Sequence, residues 1–208
     1  MRKLLIALPL IAAVPFIANH SVNAAGPWQM GPDAKTITGG RYTIDAAHTL
    51  IGWRVLHLFF NDYFGAFGNP TGELNLDIVN PSKSSVTIDI PISGLVTASE
   101  KLTGHMKTKD FFDADKFPSA KFASTSVKVS KLNAVITGNL TMMGITKPVT
   151  LKANLSGNGP NLFRNKIETV GFHAKTSINR SEWGMSYGIP GVSDKIDLDI
   201  TAAFEKAP

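Results

Sequence analysis

One stretch near the C-terminus decides the fold class: Val192-Ser193-Asp194-Lys195-Ile196-Asp197-Leu198-Asp199-Ile200-Thr201-Ala202-Ala203-Phe204-Glu205. Its even-numbered residues are apolar with the exception of Asp194, and its odd-numbered residues are polar with the exception of Ala203. Successive side chains of a β-strand point to opposite faces, so alternation over this length predicts a long strand with one buried face.

The same alternation recurs from residue 41 onward. It is clear in residues 74–78, 86–92, 134–142 and 149–155, and turn signals such as Asn69-Pro70-Thr71-Gly72 and Gly157-Asn158-Gly159-Pro160 lie between the runs. No βαβ rhythm appears, so the strands should be antiparallel. Because several runs are long, the sequence predicts an all-β fold, an antiparallel barrel of about eight strands.

A short helix is predicted between two of these strands. Residues 99–109 contain good helix formers, with Leu102 and Met106 four positions apart and Thr97 or Ser99 as a cap.

The N-terminus predicts export to the periplasm. Arg2 and Lys3 precede an uncharged apolar run over residues 4–18, and small residues up to Ala24 offer a cleavage site. We therefore expect a signal peptide at 1–24, a flexible Gly- and Pro-rich segment at 25–40 and a single barrel domain at 41–208. The apolar run is short for a membrane span, so a membrane-spanning protein is not expected.

Composition narrows the class of function. The chain carries 21 Lys and Arg against 16 Asp and Glu, and cleavage would remove two basic residues and no acidic one, leaving an excess of three. These charges are interleaved and form no basic stripe, so nucleic-acid binding is not expected. No cysteine is present, so a disulfide framework is excluded and the fold must depend on core burial.

Several segments in order carry a resemblance to a known family. They are Tyr42-Thr43-Ile44-Asp45 with His48-Thr49, Phe111-Phe112-Asp113 with Phe117-Pro118, Gly144-Ile145-Thr146-Lys147-Pro148-Val149, and Asn179-Arg180-Ser181-Glu182-Trp183-Gly184. Together they resemble the YceI-like family of bacterial periplasmic proteins. The resemblance implies an extended, lipocalin-like barrel around an elongated apolar cavity, and a protein that binds polyisoprenoid or other long-chain lipids without catalysis. The aromatic pairs Phe59-Phe60 and Tyr63-Phe64 depart from the family pattern, near the predicted mouth of the barrel.

The expected ligand-binding residues start from one strand. On residues 49–58, Trp53 shares a face with Ile51 and Val55, and we expect that face to point inward. The side chains expected to contact the ligand are Ile51, Trp53, Val55, His57, Phe64, Phe67, Phe122, Phe172, Ile178 and Trp183. Arg180 and Asp194 are expected to form a structural ion pair or to anchor a ligand headgroup, since an acid on an apolar face needs a partner.

Other functions stay open at this level. The apolar residues could simply fill the barrel, or the protein could be a quinone- or haem-linked redox carrier, or an enzyme acting on a lipid-like substrate. No Gly-x-Ser-x-Gly motif is present, and His48 and His57 are an odd number of residues apart, so they would not share a strand face. No catalytic residue, metal site or cofactor is therefore predicted, and a homodimer is left open.

Overall fold

A computed structural model describes residues 31–208, so the expected signal peptide at 1–24 and residues 25–30 of the expected flexible segment lie outside the described part. The described chain forms eleven strands and one α-helix. The strands are Gly40–Ile44 (β1), Leu50–His57 (β2), Asn61–Phe67 (β3), Thr71–Leu76 (β4), Ser85–Pro91 (β5), Leu95–Thr97 (β6), Ser119–Ser130 (β7), Asn133–Met142 (β8), Ile145–Asn161 (β9), Ile167–Asn179 (β10) and Lys195–Lys206 (β11); the helix is Glu100–Met106 (α1).

The sheet is antiparallel and closes on itself. Its order is β1-β4-β5-β7-β8-β9-β10-β11-β2-β3-β6, and β1 also pairs with β11. Eight strands therefore close a ring, from β1 through β4, β5 and β7 to β11 and back to β1. The remaining strands extend the sheet from the first half of β11, where residues 197–201 pair with β2, while residues 204–206 pair with β1. The predicted antiparallel barrel of about eight strands is confirmed.

The alternation of β11 is reflected in its environment. Ile196, Leu198 and Ile200 face the interior of the barrel. On the outer face, Asp197 accepts a hydrogen bond from Arg54 at 2.7 Å, and Asp199 pairs with Lys175 at 2.8 Å. Hydrogen bonds from Lys195, Ser177 and Arg54 hold the pKa of the Asp197 carboxyl far below its usual range.

The predicted short helix is confirmed as α1. The Ser99 hydroxyl accepts a hydrogen bond from the Leu102 amide at 3.3 Å and so caps the helix. Leu102 and Met106, one turn apart, face the barrel interior, so α1 lies against one end of the barrel.

The seam where β1 meets β11 is fixed by a buried tyrosine. The single O–H of Tyr42 has two acceptors within hydrogen-bond distance, the Thr38 carbonyl at 2.7 Å and Glu168 at 2.8 Å, and the Lys206 ammonium lies 4.6 Å from the ring centre. Residues 33–38 of the N-terminal segment thereby reach β10, and Asp33 also donates its amide to Asn158 on β9.

Candidate binding cavity

The barrel is not filled by its side chains. It encloses two chambers of about 420 Å³ and 360 Å³. Ile51, Ile90, Leu140 and Leu198 line both chambers, so the two lie end to end. Both are far larger than the ~150 Å³ engineered cavity that binds benzene in a protein core, and both fall in the ~300–1,000 Å³ range of ligand pockets.

The larger chamber, which we call the aliphatic chamber, is lined mainly by Val, Ile, Leu and Ala from the inner faces of β4, β5 and β7–β11. Its aromatic residues are Phe122, Phe172 and Phe204. Lys131 and Asn133 at the β7–β8 turn and Asp77 after β4 are polar residues at its outer end. Its wall offers few directional contacts, which suits an extended hydrocarbon.

The smaller chamber, which we call the aromatic chamber, has a different wall. It is lined by Trp53, Tyr63, Phe67, Phe111, Phe112 and Tyr187, by Met106, Met142 and Met185, and by His57, His105 and Arg180, among others. At its mouth the rings of His105, Phe111 and Tyr187 lie 5.1–5.2 Å apart, centre to centre. Aromatic and Met side chains provide large contact areas that adapt to a ligand's shape.

Trp53 is held against the wall by its neighbour on β3. Trp53 pairs with Gly65, and a Cβ at position 65 would lie 2.1 Å from the indole ring, so only glycine fits there. The Trp53 indole N–H is buried and has no hydrogen-bond acceptor among residues 31–208. A buried donor without an acceptor costs free energy, so this side of the chamber is not optimised for stability.

Most of the residues expected to bind the ligand lie on the cavity wall. Ile51 lines both chambers. Trp53, Val55, His57, Phe67 and Ile178 line the aromatic chamber, and Phe122 and Phe172 line the aliphatic chamber.

Two of the expected residues lie elsewhere. Phe64 is 61% exposed on the outer face of β3, because it is an odd number of residues from Phe67 and so points the opposite way. Tyr63, with the correct parity, lines the chamber instead. Trp183 is fully buried in the core beside the chamber, where its indole N–H donates to the Leu140 carbonyl at 3.1 Å.

The expected ion pair between Arg180 and Asp194 is not formed. The Arg180 guanidinium is 3% exposed and donates to four backbone carbonyls, those of Met185, Tyr187, Val192 and Ser193, at 2.9–3.2 Å. The Asp194 carboxylate accepts instead from the amide and hydroxyl of Ser181, at 2.8 and 2.7 Å. Burial lowers the pKa of Arg180, and the nearby charge of Asp194 opposes this.

Arg180 therefore organises the loop that closes the aromatic chamber. Its four acceptors lie along residues 185–193, and its own side chain lines the chamber. Arg180 could be singled out from the sequence, but its partners could not, because every residue has a backbone carbonyl and the sequence does not show which of them lie near the guanidinium.

The described chain shows no cluster of three or more His, Asp or Glu side chains that could hold a metal ion. Within residues 31–208, no helix has the length and hydropathy needed to cross a bilayer.

A closed antiparallel barrel around an elongated apolar cavity defines a class of proteins that can hold a small apolar ligand inside the sheet. The YceI-like domain model matches residues 42–204, and the chain belongs to that family.

Relatives and solved structures agree with this assignment. The chain is 35% identical over 171 residues to a UPF0312 protein of Pseudomonas fluorescens, covering 81% of this chain and 88% of the relative. It is 36% identical over 163 residues to a UPF0312 protein of Pseudomonas putida, covering 77% and 83%.

Two solved structures show the same fold. Burkholderia cenocepacia BcnA superposes with a TM-score of 0.68 at 21% identity, covering 77% of this chain and 98% of BcnA. A domain from Saccharophagus degradans, described as polyisoprenoid binding and implicated in plant cell wall breakdown, superposes with a TM-score of 0.62 at 11% identity, covering 80% and 98%.

Proposed function

We propose that this protein binds a long-chain isoprenoid-type lipid inside the barrel, and sequesters or transports it in the periplasm without catalysis. The observation that carries the proposal is the pair of chambers, about 420 and 360 Å³, that share wall residues along the interior of the barrel. The description of the Saccharophagus degradans domain as polyisoprenoid binding supports the same ligand class.

The energetics of the cavity suit such a ligand. Each buried methylene contributes about 0.8 kcal/mol, so a five-carbon isoprene unit contributes roughly 4 kcal/mol before ordering costs. A few units then provide the ~8 kcal/mol that corresponds to micromolar binding. The aliphatic chamber suits the repeating hydrocarbon, and the aromatic chamber, with His57, His105 and Arg180 on its wall, suits the end of the ligand that carries polar atoms.

The ligand can be identified by recovering the protein from the periplasm of a bacterium and extracting it for lipid mass spectrometry. We expect a co-purified long-chain lipid in the wild type. Ala153→Phe should lower lipid occupancy at least tenfold, because Ala153 is buried on the wall of the aliphatic chamber and the new ring occupies that space.

The matched control is Val135→Phe, which adds the same ring to the outer face of the neighbouring strand β8. It should leave occupancy unchanged. A wild-type protein that carries no lipid and takes up none from lipid-loaded micelles would refute the proposal. A co-purified haem or quinone would favour a redox carrier instead.

We also infer that the chain is exported and cleaved. The mass of the mature protein should correspond to an N-terminus within a residue or two of Ala25. An intact Met1 on protein recovered from the cell would contradict this.

A further inference from the structure

The turn between β2 and β3 carries three consecutive apolar residues, Leu58, Phe59 and Phe60, which we call the aromatic tip. Phe59 is 72% exposed and Phe60 is 85% exposed. Leu58 and Phe59 both adopt left-handed backbone conformations, with φ of 49° and 62°. That region is unfavourable for large L-residues, so neither the burial nor the backbone of this turn explains why these residues occupy it.

The aromatic tip lies at the mouth of the aromatic chamber. The tip follows directly from His57, which pairs with Asn61 at the end of the hairpin and itself lines the chamber. The Leu58 amide donates to the Gly191 carbonyl at 2.6 Å, which fixes the tip to the loop that bears Tyr187 and Val192. Both of these residues line the chamber, and Tyr187 is exposed as well.

We propose that the aromatic tip inserts into the surface of a lipid bilayer and places the mouth of the aromatic chamber against it. The ligand then passes between bilayer and chamber without exposing its hydrocarbon to water. The passage of ligand between bilayer and chamber rests on the proposed lipid-binding function, whereas insertion of the tip into the bilayer does not.

A lipid surface fits the tip better than a protein partner does. A stable protein interface needs roughly 20–30 residues a side, whereas the exposed apolar side chains here are the three-residue turn, Tyr187 beside it, and Leu56 and Phe64 on the adjoining strands. Phe side chains on a polar protein are typical of segments that enter the boundary between headgroups and acyl chains.

The charge around the mouth indicates how the protein would bind. Residues 100–116, which form α1 and the segment carrying Phe111 at the mouth, contain four lysines and four acidic residues. Such a balance gives no preference for anionic lipid. We therefore expect apolar insertion, with little dependence on salt.

The experiment measures partition of the full mature protein onto phosphatidylcholine vesicles by co-sedimentation. Phe60→Ser should weaken partition roughly tenfold, and Phe59→Asn with Phe60→Ser roughly a hundredfold, because each ring loses its burial in lipid. Asn is chosen at position 59 because it tolerates the left-handed conformation. Both changes lie in exposed positions, so the thermal melts should match that of the wild type.

The matched control is Phe163→Ser. Phe163 is 90% exposed in the β9–β10 turn, and about 40 Å of strand β10 separates that turn from the end of the barrel that carries the aromatic tip. This change should leave partition within about twofold of the wild type. Raising the salt concentration should not release the protein.

Four results would overturn the proposal: no binding of the wild type to vesicles, an equal loss in Phe163→Ser, binding only to anionic vesicles with release by salt, or self-association through the tip in place of vesicle binding. Lipid content is measured on the same samples. A wild-type protein that holds no lipid but still binds vesicles through the tip would refute the proposed function and leave the insertion standing.

Discussion

The two ends of the barrel are built on different physical principles. The aliphatic chamber is lined mainly by strands, together with residues of the N-terminal segment and of the β4–β5 and β7–β8 connections, and the β1–β11 seam is held by strand pairing and one tyrosine network. The aromatic chamber is lined on one side by α1 and by the loop over residues 181–194, the loop is held by one buried cation, and the aromatic tip is hydrogen-bonded to it. The walls of the first chamber are held mainly by backbone pairing between strands, whereas one side of the second depends on the side-chain hydrogen bonds of Arg180.

The largest expected effect tests whether the loop of the aromatic chamber depends on Arg180. Arg180→Met removes the donor from four carbonyls at once, so we expect a loss of about 3–5 kcal/mol in the free energy of unfolding, measured by urea denaturation. Arg180→Lys should recover only part of the lost stability, because an ammonium keeps the charge but offers fewer donors than a guanidinium.

Asp194→Ala is the control for this loop. Its carboxylate is only partly buried and accepts from Ser181, in the manner of a helix cap, so we expect a cost of about 1 kcal/mol. Equal costs for Arg180→Met and Asp194→Ala would mean that the two residues act as the pair that the sequence predicts.

A second prediction compares the two buried tryptophans of the aromatic end. Trp183 donates its indole N–H to the Leu140 carbonyl, and Trp53 has no acceptor in the described chain. Replacement by Phe removes a similar volume at both sites, so Trp183→Phe should cost about 1–3 kcal/mol more than Trp53→Phe. Urea denaturation of the two variants measures the difference. Equal costs would indicate that Trp53 has an acceptor that the described residues do not provide.

The smallest expected effect concerns the aliphatic end, where burial, together with the hydrogen bond and charge of Glu168, raises the pKa of Tyr42 to about 12. Because the folded pKa lies above the unfolded value of ~10, the contribution of the neutral hydroxyl is complete below pH ~10 and is lost as the pH rises towards ~12. Tyr42→Phe should therefore cost about 1 kcal/mol at pH 8, and its difference from the wild type should shrink above pH 10.

Paired denaturation curves at pH 8, 10 and 11.5 test this, since other tyrosines and lysines that titrate there are common to both proteins. A difference that is constant over the whole pH range would show that folding does not raise the pKa of Tyr42, and no difference at pH 8 would show that the hydroxyl does not stabilise the β1–β11 seam.

The sequence predicts the barrel well because its signal is local. The alternation in β11 gives the correct inner face, and the same parity places Trp53 and Val55 on the wall. Parity also explains the error at Phe64, because Tyr63, Gly65 and Phe67 are the residues of β3 that face inward. Gly65, which lies opposite Trp53 and leaves room for its ring, was the residue that could have indicated this face. The acceptors of Arg180 could not be predicted, because they are backbone carbonyls placed by the path of a loop. The division of the cavity into two chambers depends on packing across the whole barrel, which no local pattern records.

The position of β11 in the sheet has a consequence for how the chain acquires its structure. This last strand pairs with β10, with β2 and with β1, and the seam joins Tyr42 to Lys206 across nearly the whole described chain. At a synthesis rate of ~5–20 residues per second, β11 is synthesised about 10–30 s after β1. Contacts this distant in sequence also make closure slow after synthesis ends. The barrel therefore cannot close until this last strand has been synthesised.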